Sequence, residues 1–382
     1  MQVKNLLPLA LATTTALAQN LTEALASQNS SLSQLTALLG SQPALVQALS
    51  QARDLTILAP SNEALEEFLK SPGAASAATD PSLVAAILQY HVLNGTYYAS
   101  NFTQEPQFIP TLLQNQTYAN VTGGQRLQAQ TVGGNVTFFS ALRENSTVVT
   151  GNVNFTAGTI HIIDKVLSVP QGINTTLQAA NLTAAVGAIR TANVSTALST
   201  AKDLTIFVPN NEAFRSIGSL AGSLNSAQLA SILSYHVVAG EVLYSTDISN
   251  ASVGTLGGGN ATIRVINETV YVNNAKVVIP DILVANGVVH VIDSVLNPNN
   301  TGGEPDTTAS TRPPAFTGAN TATDGANPFT SGVQGPTSTA PVATETGGGV
   351  RETTSSTQAA PMRTAAVGAA ALFGGFAAYI NI

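Results

Sequence analysis

The chain has 382 residues, 44% of them apolar but only 9% charged, with no cysteine and a formal net charge of -7. Soluble domains ordinarily carry about a quarter charged residues, so something other than ionised side chains must keep this surface wet. The negative balance offers no basic field for nucleic acid, and the missing thiols exclude both a disulfide framework and a cysteine metal site.

Met1 to Ala18 carries a lone Lys4, an apolar run through Leu6, Leu7, Leu9, Ala10 and Leu11, and small residues at Ala16 and Ala18. The pattern predicts a secretory signal over 1–18, cut so that Gln19 leads the mature chain. Leu32, Leu35, Leu38 and Leu39, followed by Leu45, Val46 and Leu49, predict two short helices. Then comes Thr56-Ile57-Leu58-Ala59-Pro60-Ser61-Asn62-Glu63-Ala64-Leu65. Its β-branched and apolar run reads as a buried strand that Pro60 stops, because proline has no amide to donate. Ser61 can cap the helix that follows, with Glu63 in its positive first turn and Ala64, Leu65, Phe68 and Leu69 on one face.

That unit recurs as Thr205-Ile206-Phe207-Val208-Pro209-Asn210-Asn211-Glu212-Ala213-Phe214. Two further pairs follow in the same order. Leu88-Gln89-Tyr90-His91-Val92 matches Leu233-Ser234-Tyr235-His236-Val237, and the Gly158 segment with His161 and Asp164 matches the Gly287 segment with His290 and Asp293. A period of roughly 130 to 150 residues is the size of a domain, so a whole domain is duplicated. Leu182, Val186, Ile189, Val194 and Leu198 repeat the early helical pattern, and Val132 to Phe139 and Ile263 to Val272 read as strands with tight turns. Between its Tyr-His pair and its last histidine the first copy is longer, and the loop around Gln104-Glu105-Pro106 is the expected place for the extra residues.

These residues resemble the fasciclin family. The segment with Pro60 and Asn62 and its copy with Pro209 and Asn211 are similar to the family's first motif. Tyr90-His91 and Tyr235-His236 resemble its Tyr-His motif, and the strands with His161 and Asp164 or His290 and Asp293 resemble its second motif. The resemblance implies a fold of mixed α/β class, in the α+β sense: two tandem fasciclin-like domains, each a wedge of two β-sheets with helices packed alongside. It implies work outside the cell, in adhesion or in wall and matrix, and no established catalytic residues. The expected boundaries are 19–168 and 170–298.

About sixteen Asn-x-Ser/Thr acceptors run from Asn20 to Asn299, and sugar on them is the expected source of the missing polarity. Expected carriers are Asn94, Asn101, Asn115, Asn120, Asn135, Asn145, Asn250, Asn260 and Asn267, with Asn154 and Asn181 expected to be buried. Beyond the second copy, 299–357 is rich in Thr, Ser, Pro and Gly and reads as a disordered, O-glycosylated stalk. The tail 358–382 ends in a short, small and apolar stretch, Ala365 to Ile382, with no basic flank behind it. It fits a glycosylphosphatidylinositol attachment signal, with Ser355 or Ser356 as the lipidated residue and Gly347-Gly348-Gly349 as an alternative.

Chemistry finds little purchase. His161 and Asp164 lie three apart on a predicted strand, which turns them to opposite faces, and the same holds for His290 and Asp293. His91 and His236 end apolar helices and point inward, where backbone groups would satisfy them. No nucleophile elbow or phosphate loop occurs, so no catalytic, cofactor or metal residues are assigned. One segment stands apart. Pro280-Asp281-Ile282-Leu283 is similar to the Asp-Ile segment that some animal family members present to integrins, with Asn152-Val153 at the corresponding place in the first copy. Asp281 and Ile282 are either a ligand segment or a turn whose Ile282 and Leu283 pack inward. The expected function is non-enzymatic adhesion, cell to cell or cell to wall or matrix, by an extracellular protein lipid-anchored to the outer leaflet of the plasma membrane or carried into the wall. Its expected partners are cell-surface, wall or matrix components, polysaccharide or a second copy. The alternative is a structural wall or matrix component that binds polysaccharide.

Overall fold

The computed structural model describes residues 19–40, 43–300, 304–308, 314, 316–322 and 327–336. The expected signal 1–18, Ser355, Ser356, Gly347-Gly348-Gly349 and the tail 358–382 lie outside the described residues.

Three helices precede the first strand, where two were expected: α1 (Leu21–Ser27), α2 (Asn29–Gly40) and α3 (Pro43–Gln51). The extra one is set by its cap. Asn20 Oδ1 accepts from the Glu23 amide at 2.9 Å while Glu23 Oε2 accepts from the Asn20 amide at 3.1 Å. A helix of two turns shows little periodicity, so only the cap announced it.

Strand β1 (Leu55–Pro60) is buried along its whole length and ends at the proline, as expected. Helices α4 (Asn62–Leu69), α5 (Pro72–Thr79) and α6 (Pro81–Tyr90) follow, capped by Ser61, Ser71 and Asp80. Pro72 and Pro81 sit in the first turn, where a missing amide costs no hydrogen bond. Six strands complete the domain: β2 (Val92–Asn94), β3 (Gln107–Pro110), β4 (Arg126–Val132), β5 (Asn135–Phe139), β6 (Asn145–Phe155) and β7 (Gly158–Ile163).

The sheet order is β2-β1-β7-β6-β5-β4-β3. The long strand β6 pairs with β5 through 145–147 and with β7 through 148–155, and two register shifts in the β7 pairing, after Val148 and after Thr150, bend it. The expected two sheets are therefore the two leaves of one seven-stranded run, hinged at β6. Parallel pairing of β7 with β1 begins at Gly158 opposite Leu55. Gly158 has φ +154°, and a Cβ there would lie 1.8 Å from the Leu55 carbonyl oxygen, so glycine alone allows the strands to meet.

The second domain repeats the plan. Its helices are α7 (Ile173–Ala179), α8 (Thr183–Thr191), α9 (Ser195–Thr200), α10 (Asn211–Ser216), α11 (Gly218–Ala221) and α12 (Ser226–Tyr235). Its strands are β8 (Leu204–Pro209), β9 (Val237–Ala239), β10 (Ala251–Gly254), β11 (Asn260–Ile266), β12 (Thr269–Val272), β13 (Ala275–Val284) and β14 (Gly287–Ile292). The order β10-β11-β12-β13-β14-β8-β9 is the same as in the first.

Two expectations need correction. The extra length of the first domain does not gather around Pro106: residues 111–125 join β3 to β4 where 255–259 serve in the second domain, and 140–144 join β5 to β6 where 273–274 suffice. The segment 299–357 is also not wholly a free stalk. Phe316, Ala319, Phe329 and Val333 pack on the core of the second domain, and Arg190 donates to the Gly332 carbonyl at 2.9 Å. A few isolated apolar residues in a polar stretch suffice to fix a strap when a matching groove exists.

Candidate functional site

The recurring residues form one set of internal posts in each domain. At the corner after β1, Ser61 Oγ accepts from the Ala64 amide at 3.2 Å, and Asn210 Oδ1 accepts from the Ala213 amide at 2.7 Å. Asn62 Oδ1 accepts from the Gln34 amide and its nitrogen donates to the Ser30 carbonyl, tying α2 to α4. Asn211 ties α8 to α10 in the same way, through the Ala184 amide and the Asn181 carbonyl. The Tyr90 hydroxyl donates to the Arg126 carbonyl at 3.1 Å, and the Tyr235 hydroxyl to the Asn260 carbonyl at 2.8 Å. Each tyrosine thus holds its helix against the far leaf of the sheet.

The histidines are saturated. His91 Nδ1 must donate to the Ile87 carbonyl, so Nε2 is the acceptor for the Leu167 amide at 2.9 Å. His236 repeats this with the Ile232 carbonyl and the Leu296 amide. Burial pushes both imidazoles down to about 4, against the partial support of those carbonyls. His161 and His290 take the other tautomer. Their Nε2 donates to the Tyr97 or Leu243 carbonyl at 2.8 Å, and Nδ1 faces the amide of Asn152 or Asp281 at 3.4 or 3.3 Å. Burial again lowers both. Asp164 turns away, to the Thr147 amide and the Ser146 hydroxyl, and Asp293 takes the Lys276 amide at 2.7 Å. No ring nitrogen is left over for a metal or a proton relay.

Asp281 and Ile282 are not presented to a partner. They are 3% and 0% exposed, inside β13 rather than in a turn. A register shift between Ile279 and Ile282 leaves Asp281 at φ +61°, with Oδ1 accepting from the Ser245 amide at 2.8 Å. The carboxylate is spent inside the fold.

What approaches Asp281 is the other domain. Arg143 Nη1 donates to the Pro280 carbonyl at 2.6 Å, and the charge of Asp281 supports a guanidinium that burial disfavours. Leu142 and Arg143 sit at φ +56° and +58°, a strained pair that aims both residues across the junction. The 111–125 segment and the neighbouring strand β3 add further contacts. Thr122 donates twice to the Asp203 carboxylate at 2.6 Å, from its amide and its hydroxyl. Gln125, fully buried, donates to the Val284 carbonyl at 3.1 Å, and the Phe108 and Tyr244 rings stack at 4.3 Å. The two insertions that distinguish the first domain, together with Phe108 of β3, make its half of the junction.

The fasciclin domain profile matches residues 30–170 and 180–298, most of the chain. The chain belongs to the fasciclin family. A fasciclin-like arabinogalactan protein of Arthroderma benhamiae is 36% identical over 291 residues, covering 76% of this chain and 69% of that protein. The fasciclin-like arabinogalactan protein CTB11 of Cercospora beticola is 31% identical, covering 74% and 77%. A solved FAS1 domain pair from the insect cell adhesion molecule fasciclin I covers 69% of this chain and 96% of its own, with 20% identity and a TM-score of 0.34.

On this fasciclin pair the acceptors Asn94, Asn101, Asn115, Asn135, Asn145, Asn250, Asn260 and Asn267 are exposed. Asn154, on β6, and Asn181, in the turn between α7 and α8, were expected to be buried and are exposed too. Asn120 differs. It is half-buried at the junction, and the nitrogen that would carry a sugar donates to the Thr200 and Ala201 carbonyls at 3.3 Å. Sequence reasoning missed the junction because its partners, Thr122 and Asp203 or Arg143 and Pro280, are far apart in the chain.

Proposed function

We propose that this fasciclin protein is a non-catalytic, glycosylated adhesion protein of the cell surface, joining cell to cell or cell to wall. The observation that carries the reading is the saturation of the motif residues: both nitrogens of all four histidines are engaged inside the fold. What remains for contact is loops and sugars, displayed on two domains in fixed relation. Weak single contacts would gain strength from many copies on one surface. A lipid at Ser355 or Ser356 would provide that display, and release of the protein from cells by a phosphatidylinositol-specific phospholipase tests the tether.

The function is tested with beads coated with the secreted protein. Self-association without added polysaccharide supports adhesion. Dispersed beads, with the deglycosylated protein retained on wall polysaccharide instead, would favour the structural wall component.

A further inference from the structure

The two domains share a groove that, among the described residues, is filled in the second alone. The amides of Gln34 and Ala184 donate to Asn62 and Asn211 at the same distance, 3.0 Å, which aligns α2 with α8 and α4 with α10. Counting from these anchors, Ala37 corresponds to Gly187, Leu65 to Phe214, Phe68 to Ile217 and Leu69 to Gly218. The Tyr-His pairs likewise match Ile87 with Ile232.

In the second domain the chain's own strap closes this groove. Phe329 meets Phe214 edge to face with centroids 6.0 Å apart, and Phe316 and Val333 pack on the same core. Both glycines are there to admit it: a Cβ on Gly187 would lie 1.8 Å from the Phe329 carbonyl oxygen, and one on Gly218 2.5 Å from Ala322 Cβ. The core that results is continuous from α7 to the residues after β14.

In the first domain the matching residues part into two clusters, one built from α1 to α3 with β1, the other from Phe68, Ala77, Val84, Ile87 and Leu88. Between them lies a cavity of about 390 Å³ whose walls include Leu35, Leu38, Leu65, Phe68, Leu69 and Ile87. Its polar neighbours are already committed. Gln34 donates to Glu66 at 2.9 Å, and His91 uses both nitrogens on the backbone. A charged or strongly hydrogen-bonding guest would find no partner there. The size falls in the range of small-molecule sites, about 300–1,000 Å³.

We propose that this cavity of the first domain binds an uncharged aromatic small molecule, in the place that Phe329 takes in the second. The proposal does not depend on the adhesion reading. The test is fluorescence titration of the full-length secreted protein with N-phenyl-1-naphthylamine. The wild type is expected to bind one probe per chain with blue-shifted emission. Leu38→Trp, which fills the cavity from a half-buried position, should weaken binding at least tenfold with melting retained. Phe329→Ala should open the second groove and raise the stoichiometry from one to two. No binding by the wild type overturns the proposal, whether the cavity closes or another stretch of the chain fills it. Undiminished affinity in a folded Leu38→Trp protein, or an unchanged stoichiometry in Phe329→Ala, overturns it as well.

Discussion

Asn152 in the first domain and Asp281 in the second hold the same post. Each has φ +61°, each faces the Nδ1 of the strand histidine through its amide, and each accepts a loop amide on Oδ1 at 2.8 Å, from Ala99 or Ser245. Only the second bears a charge, and only the second has an arginine beside it, Arg143 from the other domain. Asp281→Asn should therefore keep the fold, because it restores the side chain that the first domain already uses. Asp281→Ala leaves the Ser245 amide unsatisfied and Arg143 uncompensated, and should cost about 2 kcal/mol in urea unfolding. Cell attachment per folded molecule should be unchanged in both; a loss of attachment with full stability would return Asp281 to the role of a ligand.

Stability should fall in mild acid. His91 and His236 are held down to about 4, below the ordinary imidazole value of about 6.5 in the unfolded chain. Between those values the unfolded state binds protons that the native state refuses, so stability decreases as pH drops through that window and levels off below it. Full development of the shift is worth roughly 3 kcal/mol per histidine. His236→Ala should melt lower at pH 7, since it strips the Leu296 amide of its acceptor, yet show a shallower loss between pH 6.5 and 4. Equal melting with altered binding would contradict a purely internal role.

Legibility followed distance along the chain. Pro60 and Ser61, or Pro209 and Asn210, announce a strand end and a helix cap within three residues, and the structure has both. His91 and His236 are readable as inward-facing because each closes an apolar helix, and both are buried. By contrast, the partners of Asp281 lie at Ser245 and Arg143, and no local pattern could place them. Proline and polar residues mark a loop at 104–106, which makes it the expected place for the first domain's extra residues, but the longer connection, 111–125, is tucked against the second domain by Gln125 and Asn120. Phe316, Phe329 and Val333 were lost in a Thr/Ser/Pro/Gly background, since composition averages over the few side chains that dock.

Asn120 should be unmodified in protein taken from cells, although Asn120-Val121-Thr122 is a complete acceptor sequence. Its side-chain nitrogen and its amide both donate into the second domain, the latter to the Ala285 carbonyl at 2.7 Å. A sugar there would sit where 200–203 packs, and Thr122 would lose its double bond to Asp203. Glycopeptide mapping decides the matter: a peptide carrying a sugar at Asn120 in most molecules would mean that the domains do not meet as described.

Gly187 tests the strap. In the middle of α8, replacing glycine by alanine normally favours the helix by about 1 kcal/mol. Here the added Cβ would meet the Phe329 backbone carbonyl oxygen at 1.8 Å, with no side-chain rotation to relieve it. The two effects separate by readout. Gly187→Ala should leave the melting of the second domain within a few degrees of wild type, because the helix gains what the strap loses, while chymotrypsin should cut after Phe316 and Phe329 roughly tenfold faster as the segment lifts and exposes them. Resistance equal to that of the wild type would show that Phe329 does not rest on α8, and the strap would then belong with the free stalk.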